Sequence, residues 1–208
     1  MLLPKTYRVE DSEEIANFVD RYSFATVVSG LQAAHVPLLF DSVGQVLVGH
    51  LTASNPVISE MKKSGQALAI FQGPHGYVSS SWYVDKTIPP TWNFTAVHAL
   101  GRAVILDSDD AKLAILQKTV AHYERMNQTS WSFSSEDPEI RGMLPLITGF
   151  EIQVESLQCC YKLSQNRKAE DLEGALRGLE LKGDEASMEL ARWMRTKASK
   201  VQSGSSKP

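Results

Sequence analysis

The stretch FATVVSGLQAAHVPLLFDSVGQVLVGHL, residues 24–51, decides the fold class. It holds three runs rich in β-branched and apolar residues, at 24–29, 33–40 and 45–51, which are separated by glycine or polar residues. Residues 41–44 (DSVG) have the composition of a tight turn between paired strands. Because the connections are too short for a helical crossover, the strands are expected to pair antiparallel.

Further extended segments follow along the chain and complete a sheet. Strands are predicted at 66–72 and 77–83, with a turn over 73–76 between them. An ordered loop over 84–95 leads to a strand at 96–106, and a last strand with a bulge is predicted at 147–162. Six or seven strands with hairpin connections predict a small antiparallel barrel, since closure removes exposed sheet edges and helices cover the seams. The fold class is therefore mainly β with peripheral helices.

The helices are predicted mainly from their capping residues. Asp11 with Glu14 forms a capping box, Asn55-Pro56 opens a short helix that ends near Gly65, and Ser108 caps a long one. The remaining helices are predicted at 137–144, 169–180 and 184–198. The predicted organisation is a barrel domain with inserted helices at 1–166, a helical extension at 167–201 and a disordered tail at 202–208.

Charge and composition narrow the possible functions. The 208 residues carry a net charge of −3, and 43% of them are hydrophobic, as in an ordinary globular protein. Residues 1–161 hold 11 basic and 17 acidic side chains (−6), whereas residues 162–208 hold 10 basic and 7 acidic (+3). DNA binders usually show a strong basic surface, so composition gives DNA binding little support, although a small patch in a dimer is compatible with it.

The sequence predicts an intracellular, cytoplasmic protein in a reducing compartment. No apolar run is long enough to span a membrane, and the N-terminus lacks the pattern of a secretory signal. The adjacent Cys159 and Cys160 suit neither a disulfide framework nor a zinc site. Because side chains alternate along a strand, at most one of these two thiols is expected to be buried.

No catalytic machinery can be identified from motifs. The chain has no GxGxxG, GxxxxGK[ST], GxSxG or HExxH pattern, and no general acid or base stands out, so enzymatic activity stays open. The histidines are more typical of structural side chains than of a metal site, and no metal is predicted. For His35 and His50, contact with a polar ligand is favoured.

Three segments are candidates for binding, and each also has a purely structural interpretation. The aromatic segment with Trp82, Tyr83, Trp92, Asn93 and Phe94 forms either a ligand wall or a plugged barrel rim. The segment of Thr52, Ser54 and Asn55 offers hydroxyls and a helix N-terminus to a phosphate, or Asn55 is only a cap. The segment 162–167 (KLSQNR) is dense in donors and contacts a ligand, or is a polar turn with Asn166 capping a helix.

These motifs together resemble those of the PaiB-type proteins, which are FMN-binding split-barrel proteins labelled as negative transcriptional regulators. The resemblance rests on four segments in order: GHLTASNP (49–56), FQGPHGYVSSSWY (71–83), PTWNFTAVHALG (90–101) and YKLSQNR (161–167). It extends from the N-terminus to the helix near 172–180.

The resemblance implies a six-stranded antiparallel Greek-key split barrel, similar to the pyridoxamine-phosphate oxidase and flavin reductase barrels. It also implies a homodimer that holds FMN at the subunit interface. Carried over by motif, the implied cofactor-binding residues are His35, His50, Thr52, Ser54, Asn55, Trp92, Asn93, Lys162, Gln165, Asn166 and Arg167.

Two positions depart from the pattern of the family. The family usually has Arg where this chain has Ala53, so a bidentate phosphate contact is missing. The candidates to replace it are Lys62, Lys63 or Arg167 of the partner subunit. Ser80, where many relatives have Pro, affects only loop rigidity. The alternatives to a flavin-binding regulator are a flavin-dependent oxidase or reductase that uses NAD(P)H, and an interaction barrel without cofactor.

Overall fold

The computed structural model describes residue 1 and residues 3–204, with side chains up to residue 199. The strands are β1 (Arg8–Val9), β2 (Phe24–Ser29), β3 (Gln32–Pro37), β4 (Leu39–Asp41), β5 (Val46–Thr52), β6 (Gln66–Val78), β7 (Thr91–Leu106) and β8 (Ile147–Lys162). The helices are α1 (Ser12–Arg21), α2 (Pro56–Ser64), α3 (Asp109–Met126), α4 (Pro138–Met143), α5 (Ala169–Lys182) and α6 (Glu185–Gly204). Short 3-10 turns occupy Lys5–Tyr7, Ser80–Trp82 and Leu144–Leu146.

The strands form one sheet in the order β3-β2-β6-β7-β8-β5-β4, with β1 paired to β8. The β2–β3 and β4–β5 hairpins and the β5–β8 pair are antiparallel, which confirms the predicted class of mainly β with peripheral helices. The described residues form eight strands rather than six or seven. One reason is that the predicted strand 33–40 divides at Leu38, whose N–H donates to the Ser23 carbonyl instead of to a neighbouring strand.

The chain divides into two compact units. The first unit comprises Met1–Asp11, Gln72–Val97 and Gln158–Pro208, and the second comprises Ser12–Phe71 and His98–Leu157. The domain division predicted between residues 166 and 167 stays a prediction. Residues 205–208 of the predicted tail lie outside the described residues, whereas α6 includes 202–204.

The second unit confirms the local capping rules. The Asn55 side chain accepts from the Val57 N–H at 3.0 Å, and the left-handed Gly65 (φ 68°) ends α2. Ser108 caps α3 through the Ala111 N–H, and Asp137 caps α4 through the Glu139 N–H. The unit closes over an apolar core at its strands, where the fully buried side chains include Val27, Phe71, Phe150 and Ile152.

The first unit joins the ends of three strands to the helical pair α5–α6. Leu176 and Leu179 on α5 are buried, as are Leu190 and Met194 on α6. Two glycines of α5 lie against the turn at 80–82. An added Cβ at Gly174 would fall 2.1 Å from the Trp82 carbonyl oxygen, and one at Gly178 would fall 2.1 Å from the Trp82 ring. Only residues without a side chain allow this approach.

The path of the chain after residue 72 differs from the one expected from its sequence. The predicted turn at 73–76 is wrong, because β6 continues unbroken to Val78. Pro74 lies within this strand, and its carbonyl accepts from the Thr95 hydroxyl at 3.2 Å. The extended path expected over 77–83 ends at Val78, after which Ser79 caps a 3-10 turn. β7 begins at Thr91, so the predicted loop is shorter.

The expectation that only one cysteine is buried is also wrong. Cys159 and Cys160 are 1% and 2% exposed, and Tyr161 beside them is 1% exposed. Consecutive strand residues point to opposite faces, so both faces of β8 are covered at this point. Burial raises the pKa of the Cys160 thiol. Among the residues that the structure describes, no helix combines the length and the apolar character that crossing a membrane requires.

Candidate functional site

In the second unit, two of the predicted site histidines lie on different strands, β3 and β5. His35 on β3 is exposed, with its Nδ1 3.1 Å from the Thr26 hydroxyl and its ring stacked near Phe24 at 6.1 Å. His50 on β5 is half-buried and pairs in register with Gly149. Burial lowers the pKa of His50, so at neutral pH its imidazole is uncharged and offers a hydrogen bond rather than a positive charge.

The start of α2 has less capacity for an anion than its sequence suggests. Pro56 has no N–H, the Val57 N–H is bound by the Asn55 side chain, and the Ile58 N–H donates to the Asn55 carbonyl at 3.0 Å. The capping interpretation of Asn55 is thereby confirmed. The groups that remain for a phosphate are the hydroxyls of Thr52 and Ser54, which are both exposed.

In the first unit, three aromatic rings form an exposed cluster on β6 and β7. The Trp92 indole N–H donates to His75 Nδ1 at 3.2 Å, and the two rings are stacked with centroids 5.9 Å apart and an interplanar angle of 26°. Tyr77 lies 6.4 Å from Trp92. Trp92 is 51% exposed and Tyr77 49% exposed. We call His75, Tyr77 and Trp92 the aromatic platform, a preformed surface for a flat ring.

Thr91 and Asn93, on either side of Trp92, hold this part of β7 in place through hydrogen bonds of their own side chains. The Thr91 hydroxyl accepts from Lys162 Nζ at 2.6 Å. Asn93 has no exposed surface, and its amide donates to Ser164 Oγ at 2.9 Å and to Met194 Sδ at 3.4 Å. A side chain with no exposed surface holds its neighbours in place rather than touching a ligand. Asn93 is therefore a support of the platform in this geometry.

The segment 162–167 is largely occupied by contacts within the first unit. Gln165 binds the carbonyls of Thr6 and Tyr161 and the N–H of Leu163, so both ends of its amide are used. The Arg167 guanidinium lies 5.5 Å from the centre of the Tyr83 ring. Asn166 is exposed, but the alternative that it caps the next helix is wrong. The residue at that position is Lys168, and its side chain forms no cap.

The predicted site residues fall into two groups. His35, His50, Thr52, Ser54 and Asn55 belong to the second unit, and Trp92, Asn93, Lys162, Gln165, Asn166 and Arg167 belong to the first. Within the first group, Thr52 ends β5 two residues after His50, and Ser54 follows the strand. Within the second, Lys162 and Asn93 brace the strand that carries Trp92. The described part of the chain contains no group of three or more His, Cys, Asp or Glu side chains that would hold a metal ion.

His75 and Tyr77 were not predicted as partners of Trp92. His75 and Tyr77 are two residues apart, so both lie on one face of a strand. Because a turn was expected over 73–76, this strand alternation was not expected there. Asp171 was also missed, a fully buried carboxylate on α5 that accepts from the N–H groups of Val84 and Asp85 at 2.8 and 3.1 Å. The Gly174–Gly178 spacing of four was the available sign that α5 packs closely against another segment.

Comparison with known proteins identifies related sequences. A model of the family described as "Putative FMN-binding domain" matches residues 1–156. The chain is 37% identical over 212 residues to the Protease synthase and sporulation protein PAI 2 of Bacillus subtilis, covering 96% of this chain and 99% of that one. It is 26% identical over 204 residues to an uncharacterized protein of Emericella nidulans, covering 79% and 81% respectively.

Solved structures share the fold at low sequence identity. The flavocytochrome Anf3 from Azotobacter vinelandii superposes with a TM-score of 0.56 at 13% identity, over 74% of this chain and 69% of that one. The FAD and heme binding protein from Mycobacterium smegmatis gives 0.52 at 18% identity, over 75% and 73%. At these identities the likeness extends to the fold alone.

Proposed function

The chain belongs to the PaiB-type family of FMN-binding split-barrel proteins, and from that premise we propose that it binds FMN as a homodimer. The observation that carries the proposal is the aromatic platform. Half-exposed, stacked rings at Trp92 and His75 present apolar surface that an isoalloxazine ring would cover. The hydrogen bond from the Trp92 indole to His75 fixes both rings before a ligand arrives.

The donors of the second unit would bind a phosphate only weakly. Thr52 and Ser54 supply exposed hydroxyl donors, and His50 supplies a neutral imidazole. A charged hydrogen bond is worth about 1.5–3 kcal/mol, against about 0.5–1.5 kcal/mol for a neutral one. Since Ala53 removes the cation that the family usually has there, we propose that ring contacts provide most of the affinity.

When bound, FMN supplies its own redox chemistry, and the residues of this chain bind and orient it. The first unit offers Trp92, His75 and Tyr77 as cover for a flat ring, and the second unit, taken by itself, offers Thr52, Ser54 and His50 as donors to a phosphate. Lys162 and Asn93 would hold the platform in place through Thr91, Ser164 and Met194.

The proposal is tested by titrating purified protein with FMN and following the quenching of flavin fluorescence. We expect saturable binding, and we expect Trp92→Ala to weaken it by up to about tenfold, since an aromatic ring pair is worth about 0.5–1.5 kcal/mol. Leu181→Ala is the matched control, because Leu181 is 88% exposed in the same unit and belongs to no binding group. Absence of saturable binding, or an equal effect of both variants, would sink the proposal.

We further propose that any regulatory role proceeds through flavin or a protein partner rather than through direct DNA contact. The Bacillus subtilis relative is named for protease synthesis and sporulation. In this chain, residues 1–161 carry 17 acidic and only 11 basic side chains. We expect no promoter binding at low salt in a mobility-shift assay. Binding that weakens steeply with added salt would contradict this expectation.

A further inference from the structure

A groove in the second unit shares no residue with the proposed flavin site. It is lined by the last turns of α3, from Gln117 to Arg125, and by the segment Thr129–Phe133 that follows the helix. Its volume is about 580 Å³, which falls within the range of about 300–1,000 Å³ that is usual for small-molecule sites. We call it the α3 groove.

The segment that forms one wall of the α3 groove is held in place without using its rings. The Trp131 N–H donates to Glu124 Oε2 at 2.7 Å, and the Thr129 N–H donates to the Glu124 carbonyl at 2.8 Å. Hydrogen bonds from Thr129 and Trp131 hold the pKa of Glu124 below its ordinary value. The Glu124 carboxylate is thus committed to fixing the wall.

The rings themselves remain available to a ligand. Trp131 is 58% exposed, and its ring lies 5.9 Å from that of Phe133 at an angle of 41°. Val120 and Ala121 supply aliphatic surface from the helix. Aromatic and aliphatic side chains of this kind suit a flat apolar body.

Charge indicates which polar group such a ligand would carry. Of the described residues that line the groove, Glu124 and Arg125 are charged. Glu124 is occupied by the wall, whereas Arg125 Nη2 lies 3.3 Å from His122 Nδ1. A guanidinium has five N–H donors, so Arg125 retains donors for an anion and can bind a carboxylate with two of them.

We propose that the α3 groove binds a planar aromatic carboxylate, with its ring against Trp131 and Phe133 and its carboxylate on Arg125. This site is independent of the flavin proposal, because no residue is shared between the two.

Three probes of one ring size test the proposal on the full chain by saturation-transfer NMR. Anthranilate carries a carboxylate, aniline is neutral, and benzylamine is a cation. We expect anthranilate to bind about tenfold more tightly than either of the others. Trp131→Ala and Arg125→Gln are each expected to weaken anthranilate about tenfold.

Two control variants match these changes within the same unit. Met143→Ala removes another half-exposed apolar side chain, and Arg141→Gln removes another exposed arginine. Both should bind anthranilate like the unchanged protein, and circular dichroism checks that all variants are folded. Since Trp131 and Arg125 lie at the surface, two separate variants keep the test decisive if one of them misfolds.

Five outcomes would overturn the proposal, of which four concern the binding of the probes. They are no binding of anthranilate up to about 10 mM, a preference for benzylamine, equal effects of test and control variants, and displacement of anthranilate by excess FMN, which would locate the probe at a flavin site. A drop in native mass for Trp131→Ala but not for Met143→Ala would also overturn it, since a second copy would then cover the groove. If FMN fails to bind, the flavin proposal falls and the α3 groove is unaffected.

Discussion

At the scale of single residues, Ala53 sets the character of the proposed phosphate site. Ala53 is exposed, and its N–H donates to the Leu146 carbonyl at 2.9 Å. The backbone at Ala53 is therefore fixed, whereas its exposed position leaves space for a longer side chain. Thr52 and Ser54 on either side provide hydroxyls but no positive charge.

Restoring an arginine at this position should strengthen FMN binding selectively. We expect Ala53→Arg to lower the Kd for FMN about tenfold to a hundredfold, since a charged hydrogen bond contributes about 1.5–3 kcal/mol. Riboflavin, which lacks the phosphate, should bind unchanged in the same fluorescence titration. Val43→Arg makes the same charge change at a side chain that is 95% exposed in the same unit. An equal gain for riboflavin, or for Val43→Arg, would count against a phosphate at this point.

At the scale of secondary-structure elements, α5 fixes the turn at 80–82 and the loop after it. Trp82 packs on Gly174 and Gly178, and the Asp171 carboxylate binds the N–H groups of Val84 and Asp85. Asp171 lies in the first turn of α5, so the start of this helix is tied to the loop. One face of a single helix thereby orders a segment that has little regular structure of its own.

Adding a methyl group at the helix face should therefore be costly. Gly178→Ala places a Cβ against the Trp82 ring, and overpacking costs about 1–3 kcal/mol. Alanine is better than glycine within a helix by about 0.5–1 kcal/mol, so we expect a net loss of about 1–2 kcal/mol in urea unfolding. Gly142→Ala on α4 is the control, because nothing lies within 4 Å of its added Cβ.

A smaller partner ring should restore the stability lost in Gly178→Ala. Trp82→Leu in that background would relieve the overlap, and the double-mutant cycle would show a favourable coupling. If Gly178→Ala and Gly142→Ala shift the unfolding midpoint alike, close packing of α5 on Trp82 is not what stabilises this region.

At the scale of the whole molecule, two half-buried histidines should make the free energy of unfolding depend on pH. Burial lowers the pKa of His50 and that of His98. In the unfolded chain these groups titrate near the ordinary value of about 6.5. Below that pH the unfolded state binds protons that the folded state does not, so the free energy of unfolding falls as the pH drops through this value toward the lower folded pKa.

We expect urea unfolding to give a lower free energy at pH 5.5 than at pH 7.5. His50→Gln should flatten this dependence, because glutamine does not titrate. Paired carboxylates such as Asp107 have pKa values that are already lowered, so their effect lies at more acidic pH and does not overlap. An unchanged pH dependence in His50→Gln would show that His50 is not responsible for it.

The proposed homodimer makes a prediction about mass. The chain has a mass of 23.0 kDa, so light scattering should give about 46 kDa, with or without FMN. A mass near that of a single chain across the whole range of protein concentrations would remove the dimer from the proposal. The platform would then have to be tested as a site within one copy.

Much of the architecture was predictable because its causes are local. Caps at Asn55, Ser108 and Asp137 bond to N–H groups two or three residues away, so their residue types alone locate the helix starts. The β4–β5 hairpin follows from a short turn between apolar runs. The resemblance of four ordered motifs indicated the family for the same reason, since motifs are read directly from the chain.

The sequence by itself determined the fold class, the capped starts of several helices and the family, whereas the tertiary structure decided which polar side chains face solvent. Asn93 and Gln165 are of residue types that often bind ligands, yet the side-chain amides of both form hydrogen bonds within the first unit. His75 joined Trp92 only because β6 runs straight through a sequence that resembles a turn. Caps and turns form between residues a few positions apart, but burial depends on segments that meet from distant parts of the chain.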